Sequence, residues 1–253
     1  MVWGMYLPSS GGAFGPYGKV EGTGTGHNMQ SGWANRLQAH YRNQPSEVGR
    51  STWGDDWDSP SKIWEYPGSV VHKFQYEIDR KALGEPWEIV APIQSHEPPS
   101  YFLTEKSLSQ LGSIISLTDR MWAMDEAAKS VIEKLEPGLH QFYRLEIRMP
   151  RNQTYPLPFY TFVCGQWLES FTPQDTAPGS FTEGNSADTK WYSINDSKAV
   201  ISSLAMRRSV FKDAHCWRER GFNEWLLCFS DEAINRLIDA ECTLPRHYRM
   251  KEI

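Results

Sequence analysis

The sequence predicts an α/β (α+β) fold: a mixed sheet with amphipathic helices packed on it, built around two similar strand–helix–strand units. Three observations carry this expectation. Residues 120–147 (RMWAMDEAAKSVIEKLEPGLHQFYRLEI) resemble residues 226–253 (LLCFSDEAINRLIDAECTLPRHYRMKEI), with Asp-Glu-Ala at 125–127 and again at 231–233, 106 residues on. Tyr143-Arg144 matches Tyr248-Arg249 one residue off that spacing. Within the copies, Ala128, Val131, Ile132 and Leu135, and then Ile234, Leu237 and Ile238, recur at helical spacing. Between them LPFYTFVCGQWLESF, residues 157–171, is an almost unbroken apolar run and reads as a strand covered on both faces.

Residues 1–50 read as a Gly-rich arm or loop, since 1–32 hold nine of the nineteen Gly and two Pro. Neither nucleotide signature survives there. A phosphate loop ending at Gly18-Lys19 would need Gly at position 13 and a hydroxyl residue at 20, which are Ala13 and Val20; Gly22 and Gly24 are followed by His27 where a dinucleotide fingerprint needs its third Gly. Residues 51–253 read as one domain. It opens with the Trp-rich acidic stretch STWGDDWDSPSKIWEY, residues 51–66, which lacks the sixth-position Gly and final Glu of a calcium loop. Alternation at Phe74, Tyr76 and Ile78, and the run Trp87 to Val90, predict strands. A helix is expected after Thr104, with Leu108, Leu111 and Ile115 on one face. Ser230 is placed to cap the second repeat helix and Pro137-Gly138 to end the first. The strand after it should alternate, Tyr143, Leu145, Ile147 and Met149 one way and Arg144, Glu146 and Arg148 the other. Residues 172–190 form a polar insertion without periodicity, read as a long loop.

Composition narrows the function classes. With 26 Lys plus Arg against 31 Asp plus Glu the net charge is −5, which argues against a broad nucleic-acid surface and suits a basic partner. No apolar window approaches membrane-spanning length, and the first residues lack the basic start and apolar run of a secretory signal; a soluble, cytoplasmic protein is expected. Cys164, Cys216, Cys228 and Cys242 form no CxxC pair, and the seven His are scattered with no helical metal pair. No metal, cofactor or catalytic residue is therefore assigned. Eleven Trp, eleven Tyr and eleven Phe give an aromatic surplus for a core or a recognition surface.

HCWRERGFNEWLLCFSDEAINRLI, residues 215–238, has an aromatic–Arg pair, then an apolar strand, a Ser cap and an amphipathic helix. With DEAAKSVIEKLEPGLHQFYRLEI and LPFYTFVCGQWLESF it resembles family eleven of the immunity proteins of bacterial polymorphic toxin systems, over about residues 85–253. The Gly-rich arm and the Trp-Asp segment depart from that pattern. The resemblance implies a cytoplasmic antidote that binds and occludes a toxin domain, such as a nuclease, encoded by a neighbouring gene, and it brings no active site. Two surfaces are the candidates for toxin contact: Trp53, Asp55, Asp56, Trp57 and Asp58, where aromatics alternate with acids, and His215, Trp217, Arg218 and Glu219. The alternatives are a hydrolase using His215 with a distant carboxylate, and a self-assembling phage or scaffold component.

Overall fold

A computed structural model describes residues 1–6, 8, 11–21, 32–46, 58–75, 93–118, 121–186, 189–222 and 226–253. The elements run β1 (Val2–Tyr6), β2 (Gly18–Val20), α1 (Gly32–Arg42), α2 (Pro60–Gln75), β3 (Tyr101–Thr104), β4 (Ile114–Ser116), β5 (Trp122–Asp125), α3 (Glu126–Leu135), β6 (Gln141–Met149), β7 (Gln153–Thr154) and β8 (Phe159–Val163). They continue with β9 (Trp167–Leu168), a 3-10 turn (Pro173–Asp175), β10 (Thr182–Ser186), β11 (Thr189–Ser193), α4 (Lys198–Ser203), β12 (Ala205–Met206), α5 (Arg208–Phe211), β13 (Cys216–Glu219), β14 (Leu226–Ser230), α6 (Asp231–Asp239), β15 (His247–Arg249) and β16 (Lys251–Glu252). The fold is mixed α/β, as the sequence predicts.

Two mixed sheets carry the molecule. The first has the order β2-β3-β6-β8-β5-β4, with β7 added to β6; the second has the order β15-β1-β14-β13-β9. The two repeat segments are both strand–helix–strand, β5-α3-β6 in the first sheet and β14-α6-β15 in the second. In each, the two strands are parallel and separated by one antiparallel strand, β8 in the first and β1 in the second. An antiparallel neighbour flanks each entry strand, β4 on β5 and β13 on β14. Each copy is thus a split β-α-β unit with the same surroundings.

The structural register of the repeat is 105 residues, not 106. Asp125 caps α3 by accepting the Ala128 amide, and Ser230 caps α6 by accepting the Ala233 amide. Thr161 on β8 lies between Ala123 and Tyr143, and Gly4 on β1 between Cys228 and Tyr248, each pair of neighbours shifted by 105. The Tyr-Arg pairs therefore give the true register, and the Asp-Glu-Ala triplets are one residue out of phase. Surface chemistry repeats too. The Tyr160 hydroxyl on β8 donates to Glu126 and its ring faces Arg144 at 5.8 Å; Trp3 on β1 donates to Asp231 at 2.9 Å and faces Arg249 at 5.1 Å.

Helices α3 and α6 pack against each other between the sheets. Their shared cluster is made of equivalent residues: Ile132 and Leu237, Ala128 and Ala233, Phe162 and Met5, Trp122 and Leu227, all buried. Val131 and Leu135 are partly buried against it, while Ile238, which the 106 spacing placed inward, is exposed. A second cluster covers the far face of the first sheet with Trp33, Leu37 and Tyr41 of α1 and Tyr66, Val70 and Phe74 of α2. A third covers the far face of the second sheet with Ile201, Leu204, Phe211 and Trp217.

The chain also exchanges segments between the halves. After β8 it crosses to the second sheet, where β9 pairs with β13 (Arg218 beside Trp167). After β1 it crosses to the first, where the Phe14 and Ala13 carbonyls accept the amides of Ser116 and Gly112 at 2.8 Å each.

Several expectations are corrected. The N-terminal 50 residues are not a loose arm where they are described. β1 is an inner strand with Val2 and Met5 fully buried, and α1 puts Trp33, Leu37 and Tyr41 into the core. Small residues favoured a loop by composition, but Gly4 is required by packing, since a Cβ there would lie 2.9 Å from the Ile201 side chain. Phe74 belongs to helix α2, not a strand; Tyr76, Ile78 and Trp87 to Val90 lie outside the described residues. No helix follows Thr104. The Leu111 amide donates to the Tyr155 hydroxyl and that of Gly112 to Ala13, so this backbone is satisfied at long range, and Ile115 sits in β4. The polar insertion holds the β10–β11 hairpin. Of the apolar run 157–171, only Phe159–Val163 is the long strand, and Leu157 ahead of it is exposed.

Candidate functional site

Strand alternation splits the second predicted patch in two. On β13, Cys216 and Arg218 face the cluster between the sheets, while Trp217 and Glu219 face the third cluster. Trp217 is fully buried and stacks on Phe211, with ring centroids 5.1 Å apart. Glu219 is buried as well, accepting the Ser170 hydroxyl at 2.6 Å and the Phe171 amide at 3.1 Å. Both are corrections: neither side chain reaches a partner surface. His215 is partly exposed, and its Nδ1 lies 2.9 Å from the hydroxyl of Ser230, the cap of α6. Of the first patch only Asp58 is described, exposed just ahead of α2; Trp53, Asp55, Asp56 and Trp57 lie outside the described residues.

Arg218 is partly exposed and sits among aromatic rings. Its guanidinium lies between two indoles, 4.7 Å from the Trp122 ring and 4.2 Å from that of Trp167. Trp122 is buried on β5 of the first sheet, whereas Trp167 and Arg218 are partly exposed on β9 and β13 of the second. The Trp167 indole N–H donates to the Cys164 carbonyl at 3.2 Å, fixing the outer ring. Cation–π stacking of this partly exposed kind is worth about 1 kcal/mol and aligns three flat groups where the sheets meet.

Beneath the stack lies a buried polar centre. Glu136 follows α3, and its carboxylate accepts the amides of His215 at 2.7 Å and Cys216 at 3.0 Å, tying the first repeat helix to the start of β13. The opposite half makes the matching tie: the Ser113 amide, ahead of β4, donates to the Thr243 carbonyl beyond α6 at 2.8 Å, and the Thr243 amide donates to the Ser113 hydroxyl at 3.0 Å. His140 Nε2 donates to Glu136 at 2.8 Å, and Gln166 reaches both Glu136 and the Cys216 carbonyl. Burial alone would raise the Glu136 carboxyl, but His140 and the two amides hold it below its ordinary range. Burial would lower His140, yet its contacts with Cys164 and Glu136 carry it up to about 9. Gly165 is obligatory here, since a Cβ would lie 1.8 Å from the Leu139 carbonyl oxygen.

A second cluster sits beside α1 and α2. Lys73 and Glu97 form a buried ion pair, and Tyr66 donates to Glu97 at 3.2 Å and lies 2.7 Å from His96 Nε2. His96 in turn stacks on exposed His40 with ring centroids 3.5 Å apart. Burial, then His40, lowers His96; burial and the Glu97 charge raise Tyr66. Sequence reasoning passed over these residues because they come from three separate elements. A lysine inside the apolar face of α2 was the available signal. The cluster welds α1, α2 and the 93–100 segment together, and its carboxylate oxygens are taken up by Lys73, Tyr66 and the Gln94 amide.

Among the described residues no group of three or more His, Cys, Asp or Glu is arranged to hold a metal, and no helix is long and apolar enough to cross a membrane. One shallow groove of about 300 Å³ is lined by Leu103, Glu146, Arg148 and Gln153. No family model matches the chain, and no curated protein matches it.

Proposed function

We propose that the protein is a cytoplasmic immunity protein that binds a cognate toxin domain, encoded by a neighbouring gene, and neutralises it by occlusion rather than by turnover. The observation that carries this reading is the partly exposed Trp167–Arg218 pair held rigid over Trp122. Trp and Arg are the residues most often dominant in binding interfaces, and a preorganised pair loses little side-chain freedom on contact. The sequence resemblance over about residues 85–253 supports it, and the net charge of −5 favours a basic partner. The His215 ring is turned to Ser230, and the carboxylate of Glu136 meets its backbone amide, so the hydrolase alternative gains nothing from this geometry.

Co-expression with the toxin domain of the neighbouring gene tests the proposal. The wild type should restore growth and co-purify with the toxin at one-to-one stoichiometry. Trp167→Ala combined with Arg218→Ala should weaken binding by about thirtyfold, near 2 kcal/mol, with thermal unfolding monitored in parallel. Failure of the wild type to protect overturns the antidote reading. Undiminished binding by the double variant overturns the choice of surface.

A further inference from the structure

Three kinds of contact tie α1 to the 93–100 segment, and they run along the helix in order. Near its start the Trp33 indole donates to the Glu97 carbonyl at 2.7 Å. One turn on, the Arg36 guanidinium donates to the carbonyls of His96 and Pro98, the latter at 2.9 Å. In the last turn the tie is a pair of imidazoles: exposed His40 lies flat on partly exposed His96, with ring centroids 3.5 Å apart and planes 19° apart. The first two ties keep their charge across the neutral and mildly acidic range. The third changes charge there, because imidazole is the side chain that titrates between pH 5 and 8.

The surroundings of the stack make a charge on it costly. His96 Nε2 lies 2.7 Å from the Tyr66 hydroxyl, and that hydroxyl donates to Glu97 at 3.2 Å. A phenol has one proton to give, so His96 carries its own on Nε2 and donates it to Tyr66. A further proton goes to Nδ1 and charges a ring that is pressed against a second imidazole. The other groups turned to this point are Arg36 and Tyr41 from α1, Tyr66 and Lys73 from α2, and Glu97 from the 93–100 segment. The two carboxylates of the cluster are already engaged. Glu97 accepts from Lys73, Tyr66 and the Gln94 amide, and Glu21 accepts from Arg36 at 2.9 Å and from the Ser100 amide at 2.6 Å. Closing a sheet does not require such a stack, since Ile201, Leu204, Phe211 and Trp217 cover the far face of the second one.

We propose that the His40–His96 stack is a pH-operated latch: two neutral rings hold the last turn of α1 on the 93–100 segment, and proton uptake by both rings drives them apart and frees that turn. Burial, then His40, holds His96 below its ordinary value, which agrees with a closed form that resists the proton. The closed form therefore binds protons more weakly than the open one. It is complete above about pH 6.5 and gives way as pH falls below that. The Trp33 and Arg36 ties keep the start of α1 in place, so the opening is local and begins at the C-terminal end of the helix.

Hydrogen exchange read by mass spectrometry on the full chain tests the latch, at about pH 7.5 and pH 5.5 and with the chemical exchange rates corrected for pH. Peptides covering residues 36–44 should lose about tenfold in protection at the lower pH, while α3 and α6, held by apolar packing, should change by less than about twofold. His40→Gln removes one of the two charges from an exposed position and should cut the loss to less than about threefold. Equal protection of residues 36–44 at the two pH values would overturn the latch. So would a loss shared equally by α3 and α6, which marks global destabilisation, or a loss undiminished in His40→Gln. The first two readouts come from the wild type and do not depend on a variant folding. The proposal is independent of the partner assignment.

Discussion

Glu219 lies between the Ser170 hydroxyl and the Phe171 amide on the buried side of β13. Burial raises its carboxyl, and the two hydrogen bonds offset that only in part, leaving it at about 7. Its native form therefore binds a proton more tightly than the unfolded chain, and its stabilising contribution is complete below about pH 4.5 and declines as pH rises through 7. The span corresponds to about 3 kcal/mol between the protonation states. Glu219→Gln keeps one acceptor and supplies a neutral amide, so it should remove this decline. Denaturant unfolding at about pH 5 and pH 8 would show a smaller difference for the variant than for the wild type. An identical difference would mean that Glu219 is solvated in solution. Residues like this one are illegible in the sequence: HCWRE reads as one polar-aromatic patch until β13 fixes which side chains alternate inward. Glu136, His140, Cys164 and Cys216 are equally hidden, since helix end, connecting turn, strand end and strand start converge only through the fold.

At the level of elements, what repeats is what was legible. Helices α3 and α6 declare themselves by apolar spacing and a capping residue, and their faces bury as expected except at Ile238. The single-residue error in register arose because Asp-Glu-Ala is a common first-turn sequence, serving in one copy from the cap onward and in the other from the first helical position. Composition misled at β1, where Gly4 reflects contact with Ile201 and not chain freedom, and at the segment after Thr104, whose partners are distant. Removing a cap, as in Asp125→Ala or Ser230→Ala, should cost about 1 kcal/mol each in chemical denaturation. Ile132→Ala and Leu237→Ala should each cost about 3 kcal/mol, and the double variant should depart from the sum, because both side chains fill one cluster between the sheets. Strict additivity would mean that the halves do not share a core.

Across the whole molecule, the Met1 nitrogen lies 2.8 Å from Glu252, so β16 and the start of β1 are adjacent in space. In the first unit the corresponding stretch, from β6 through β7 to β8, is continuous and passes over exposed Leu157. The gap in space from β16 to β1 thus corresponds to the covalent path from β6 to β8 in the other unit. A short Gly-Ser linker from Ile253 to Met1, with the chain reopened between Pro156 and Leu157, would move the interruption to its counterpart. β8 would then follow the new opening directly, and every pairing in both sheets would be retained. This rearranged chain should fold with the far-ultraviolet circular dichroism of the original and a modestly lower melting temperature. If it does, the pairings within the two sheets, and not the order of the two units along the chain, carry the fold.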